Sequence, residues 1–115
     1  MSRPSLAVLA VAVGLTPMVG LGPVLGDDVP SFALEMKDGR FTPARLVVPA
    51  GKPFRLTVTN AGSGSAEFES KTLHKEKVIA PKTTATVSFK ALAKGDYDVF
   101  DEYRPEAPAG AIVAE

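Results

Sequence analysis

The chain has 115 residues, 45% of them hydrophobic and 23% charged, with ten glycines, ten prolines and no cysteine or tryptophan. That length suits one compact domain, and a formal net charge of +0 gives no electrostatic ground for nucleic acid or an anionic membrane as partner. The missing cysteine excludes disulfides, thiolate catalysis and every thiolate metal site together.

Residues 1–26, MSRPSLAVLAVAVGLTPMVGLGPVLG, place Arg3 ahead of an apolar run that ends in small or apolar residues at Val24 and Gly26, the pattern of a cleavable signal peptide. Gly14, Pro17, Gly20, Gly22 and Pro23 interrupt that run, so a continuous helix of the roughly 20 residues needed to span a bilayer is not expected. The expected mature protein is an exported domain over residues 27–115, without a membrane span.

Downstream, short apolar alternations are separated by turn residues and no helical period is sustained. Phe32, Leu34 and Met36 alternate up to a Lys37-Asp38-Gly39-Arg40 turn; Leu46 to Val48 run into Pro49-Ala50-Gly51; Phe54, Leu56 and Val58 lead to a loop from Asn60 to Gly64. AEFES, residues 66–70, follows, then Val78-Ile79, then Ala85, Val87 and Phe89, then Tyr97 and Val99, and last Ile112-Val113. Ala91 to Lys94 predicts a single helical turn. Seven or eight short strands in this order predict an all-β, antiparallel Greek-key sandwich.

AEFES is unusual within that pattern. If Phe68 points into the core, alternation puts Glu67 and Glu69 together on the other face, where two carboxylates repel. Charge is also uneven along the chain: Lys37, Arg40, Arg45, Lys52 and Arg55 face only Asp38 in one stretch, whereas Asp96, Asp98, Asp101, Glu102 and Glu106 face only Arg104 in another.

The tail GDYDVFDEYRPEAPAGAIVAE resembles the C-terminal signature of cupredoxins, and FTPARLVVPAGKPFRLTVTNAGSGSAEFES has the upstream strand order of that family. A blue-copper site needs a thiolate and two imidazoles, usually with an axial thioether. At the positions where the resemblance would place these ligands stand Asp101 for the cysteine, Arg104 and about Ala66 for the histidines, and a residue near Pro108 for the methionine. A blue-copper electron-transfer centre is therefore excluded on chemical grounds.

The resemblance implies instead that the AEFES strand and the Asp101-Glu102 loop meet at one end of the sandwich. Glu67, Glu69, Asp101 and Glu102 are then candidate oxygen ligands for a hard cation, with Glu35 and the lone histidine, His74, as secondary candidates. FTPARLVVPAG, EFESKTLHKEKVIAP and YDVFDEYRPE are also similar to the iron-transport branch of the family, the periplasmic cupredoxin-like component of bacterial ferrous-iron uptake systems. That similarity implies a periplasmic protein that binds Fe2+ or Fe3+, with Cu2+ as a second metal. It also implies assistance to iron oxidation, or delivery of iron to a membrane iron permease.

A carboxylate cage favours Fe3+ over Fe2+, but the chain offers no second redox centre, so oxidation would need an external electron acceptor. The alternative is an interaction module, metal-free or stabilised by calcium, whose acidic end docks a basic partner. Asp96, Asp98, Asp101 and Glu102 are oxygen donors of the kind calcium takes, but Asp101 stands where an EF-hand loop needs glycine. Hydrolytic chemistry has little support, because His74 has no nucleophile motif near it and no tryptophan offers a sugar platform.

Overall fold

The computed structural model describes residues 29–115, so the expected signal peptide and its cleavage point lie outside the described residues. Among these residues there are nine strands and no helix: β1 Ser31–Lys37, β2 Arg40–Thr42, β3 Arg45–Val48, β4 Phe54–Asn60, β5 Ala66–Ser70, β6 Lys75–Ile79, β7 Thr84–Phe89, β8 Gly95–Asp101 and β9 Gly110–Ala114. They form a five-stranded sheet in the order β3-β9-β8-β5-β6 and a four-stranded sheet in the order β2-β1-β4-β7.

The expected all-β sandwich is present. It has one strand beyond the predicted range, because Arg40–Thr42 folds back onto β1. Asp38 and Gly39 both have positive φ, at 51° and 82°, the backbone that a two-residue hairpin turn requires and that an Asp-Gly pair adopts readily. A Cβ on Gly39 would come within 2.6 Å of Ala107 Cβ, so this turn packs directly against the loop that follows β8.

Both sheets are mixed. β1 runs parallel to β4 and β3 parallel to β9, while the other pairs are antiparallel. Alternation along one strand says nothing about the direction of its neighbour, so these parallel pairs are not legible in the hydrophobic pattern.

The core is aromatic at its centre. Phe54 stacks on Phe89 with ring centroids 4.8 Å apart, and Phe68 meets Phe89 edge to face at 6.5 Å. Met36, Leu56, Val58, Ile79, Val99 and Ile112 complete the buried layer from both sheets. This burial offsets the ordering entropy of the chain without any disulfide.

The predicted helical turn at Ala91 to Lys94 does not form. The segment is tied by other bonds: Leu92 O accepts from Gly51 N at 2.8 Å, and Ala93 O accepts from the Tyr97 hydroxyl at 2.6 Å. Leu92 packs against the core as part of an irregular connection between β7 and β8.

Candidate metal centre

Asn60, at the end of β4, sets the path of the chain into β5. It is 2% exposed. Its side-chain amide donates to Gly64 O and Ile79 O and its side-chain oxygen accepts from Gly62 N, each at 2.9 Å. The Ala61-to-Ser65 loop is thereby tied to β6, and β5 starts in a fixed register.

Within β5, Ala66, Phe68 and Ser70 are buried while Glu67 and Glu69 are half-buried on the outer face, as alternation requires. β5 lies between β8 and β6. Directly opposite residues of an antiparallel pair share a face, so the register Glu69 to Glu76 and Glu67 to Val78 brings Glu76 of β6 beside the pair. Glu67, Glu69 and Glu76 each offer a carboxylate oxygen, and these oxygens all lie within 4.8 Å of one another. Two oxygens that far apart can both touch a calcium ion at its oxygen distances of about 2.3–2.6 Å, and an ion with shorter bonds would draw the carboxylates closer together.

Glu102 extends the group. Its backbone N–H donates to Glu67 O at 2.9 Å, and its carboxyl is one of the groups that raise that of Glu69. Crowding shows in the acidities. The Glu67 carboxyl is held above the usual carboxylate range, first by its hydrogen bond with Glu76, then by loss of water, then by the charges of Glu76, Glu69 and Glu102. Glu69 is also raised, first by loss of water, then by its hydrogen bond with Glu102 and the charges of Glu102 and Glu76, with Lys71 opposing.

A carboxyl raised in the native state binds its proton more tightly there than in the unfolded chain. The stability it contributes is present below its ordinary value and lost as pH rises through its raised value. Metal-free protein is therefore expected to lose thermal stability as pH rises from about 4 towards neutrality, relative to the Glu67→Gln, Glu69→Gln double variant, in which these two groups no longer titrate. Melting curves of both proteins across that interval check the sign; equal pH profiles would show that the repulsion has no thermodynamic weight.

The other sequence candidates are distributed differently. Asp101 is 2% exposed and sits opposite Phe68, facing the interior. Its Oδ1 accepts from Glu67 N at 2.9 Å and from Tyr103 N at 3.0 Å, so it positions β5 and the turn after β8, and it stands apart from the group of three. His74 ends the Lys71-to-His74 turn with φ at 55° and is exposed. It borders the same shallow depression, about 360 Å3, as Glu69 and Glu76. Glu35 is exposed on β1 between Thr42 and Thr59, on the other sheet, and does not join the cluster.

AEFES and the Asp101-Glu102 segment do meet, through Glu67 N to Asp101 Oδ1 and Glu102 N to Glu67 O, but the carboxylate group lies on the outer face of the five-stranded sheet and Asp101 does not join it. The reason is the pleat: Asp101 shares the inward face with Phe68, whereas Glu67 and Glu69 point outward. Glu76 is the residue that sequence reasoning missed. Its signal was the hairpin: with Lys71 to His74 as the turn and Ser70 opposite Lys75, position 76 must face position 69.

A family profile described as cupredoxin-like domain matches residues 6–114. The chain belongs to the cupredoxin-like family. An uncharacterized protein of Rickettsia prowazekii is 30% identical over 87 residues, covering 76% of this chain and 70% of the relative. The fold is similar to auracyanin of Roseiflexus castenholzii, with a TM-score of 0.62 at 11% identity over 76% of this chain and 98% of that one. It is similar too to the metal-binding domain of the Streptococcus pneumoniae Cu(I)-exporting P-type ATPase, solved with Cu(I), at a TM-score of 0.63 and 13% identity over 76% of this chain and 88% of that one. At these identities the likeness is one of fold. This family member has no cysteine and one histidine, so a thiolate-and-two-imidazole copper site lacks its thiolate and one of its imidazoles here.

Proposed function

We propose that this cupredoxin-like protein binds a hard cation on Glu67, Glu69 and Glu76, with Glu102 beside them, and that the cation it handles is iron on its way to a membrane permease. The observation that carries this reading is the gathering of three carboxylate oxygens within 4.8 Å on a sheet face. A bound cation relieves their repulsion, and hard ions prefer oxygen donors. The similarity of EFESKTLHKEKVIAP and YDVFDEYRPE to the iron-transport branch supports iron over other hard cations and a periplasmic location.

Iron is the substrate here. Anionic oxygen donors stabilise Fe3+ more than Fe2+, so binding lowers the potential of the couple and favours loss of an electron. That electron passes to an acceptor outside the protein, dioxygen or a redox partner. In this reading the protein assists oxidation and hands the ion on, and the half-open outer face of the sheet permits that exchange.

Titration of metal-free protein with Fe3+ supplied as its nitrilotriacetate complex, and separately with Cu2+, Mn2+ and Ca2+, tests the reading. Fe3+ is expected to bind more tightly than Mn2+ or Ca2+. Cu2+ is expected to give only weak visible absorption, since no thiolate is present to produce an intense band. Binding of Ca2+ as tight as that of Fe3+ would assign the site to calcium instead.

A further inference from the structure

The other side of the β5–β6 hairpin carries a second, chemically different pocket. It lies where β6, the edge of the five-stranded sheet, approaches β7, the edge of the four-stranded sheet. Its volume is about 270 Å3, and it is lined by Leu73, His74, Lys75, Phe89, Lys90 and Leu92. The floor is apolar: Phe89 is 4% exposed, and Leu73 and Leu92 are half-buried against the core. The rim is cationic. Lys75 Nζ stands 5.5 Å from the centroid of the Phe89 ring, Lys90 is exposed beside it, and no carboxylate lines the pocket.

Among the described residues the only ion pair is Arg45 with Asp96, so neither ammonium has an anionic partner there. The walls are also fixed in place. Leu92 is held through its carbonyl by Gly51 N, and Phe89 by its stack on Phe54, with ring planes 5° apart.

We propose that this pocket binds a small aromatic carboxylate, its ring against Leu73 and Leu92 beside the buried Phe89 and its carboxylate between Lys75 and Lys90. The volume, about 270 Å3, falls just below the range of about 300–1,000 Å3 typical of ligand pockets, which limits the guest to a single ring. The apolar floor selects a ring over a bare inorganic anion, and the two unpaired ammonium groups select an anion over a cation or a neutral ring. The imidazole of His74 adds a hydrogen-bonding group at the mouth. This site is separate from the carboxylate cluster and does not depend on it, although His74 and Lys75 border both depressions.

The test uses the metal-free protein, with chelator present, titrated with benzoate and followed by amide NMR. Saturable shifts are expected at Leu73, His74, Lys75, Lys90 and Leu92, with none from acetate, which lacks the ring, or from benzylamine, which reverses the charge. Lys75→Gln and Lys90→Gln are each expected to weaken benzoate binding about tenfold, while Glu35→Gln, on β1 and outside the pocket, leaves it unchanged. A response to benzylamine or acetate equal to that for benzoate, the absence of saturation, or full affinity in the double lysine variant would overturn the proposal.

Discussion

Replacing Glu67, Glu69 and Glu76 together by glutamine is expected to abolish tight Fe3+ binding while leaving the protein folded. Amide oxygens keep the shape of the site but remove its three charges. Loss of an outer partner alone commonly costs about ten- to a hundredfold in metal affinity, so loss of all three donors should exceed that range. Glu102→Gln, which removes a carboxyl that raises Glu69 rather than one of the three, should lie within it. The metal-free triple variant should also melt above the metal-free wild type at neutral pH, because the repulsion that raises Glu67 and Glu69 is gone. Calorimetric titration and melting curves read both effects. A triple variant that binds Fe3+ as tightly as wild type would place the metal elsewhere on the molecule.

The second large effect concerns Asp101, whose carboxylate is buried and accepts from two backbone amides. Asp101→Ala removes the single oxygen that accepts both bonds and leaves the N–H groups of Glu67 and Tyr103 without partners, at an expected cost of about 3 kcal/mol or more. Asp101→Asn keeps an oxygen at Oδ1 and loses only the charge-assisted part of those bonds, an expected cost of about 1 kcal/mol. Denaturant unfolding gives both values. Metal titration of Asp101→Asn then separates positioning from ligation. If Asp101 acts only through Glu67, the asparagine variant keeps affinity close to wild type; a collapse of affinity comparable with that of the triple variant would make Asp101 a ligand.

These two predictions differ because the same strand pair sends its charges in two directions. Glu69 and Phe100 face outward together, and one residue along, Phe68 and Asp101 face inward together. A carboxylate at the inward position must be satisfied by hydrogen bonds, which Asp101 obtains from the backbone. Carboxylates at the outward positions keep some water and one another, which leaves them available to a cation. The sequence reading applied the pleat to AEFES but not to the strand that ends at Asp101, which it grouped with Glu67 and Glu69 on the family resemblance alone.

Most of the sandwich was legible from local pattern. Phe32, Leu34 and Met36, then Phe54, Leu56 and Val58, and then Val87 and Phe89 alternate at a period of two, and the structure buries Leu34, Met36, Phe54, Leu56, Val58, Val87 and Phe89. The Asp38-Gly39 turn was equally readable, since a positive φ at both positions suits that pair. The absence of a thiolate site needed only a count of cysteines.

Pairing was not legible in the same way. The parallel association of β1 with β4 and of β3 with β9, the irregular path from Ala91 to Lys94, and the arrival of Glu76 beside Glu69 each depend on which strands become neighbours. Alternation fixes the face a side chain occupies on its own strand, a property of about two residues. Neighbours are chosen by the burial of a whole core and by hydrogen bonds that join residues far apart in the chain. The sequence alone therefore determined that Glu67 and Glu69 share one face and that no thiolate stands with them. Only the tertiary structure decided that Glu76 completes the group and that Asp101 turns away from it, because strand register is a long-range outcome of packing.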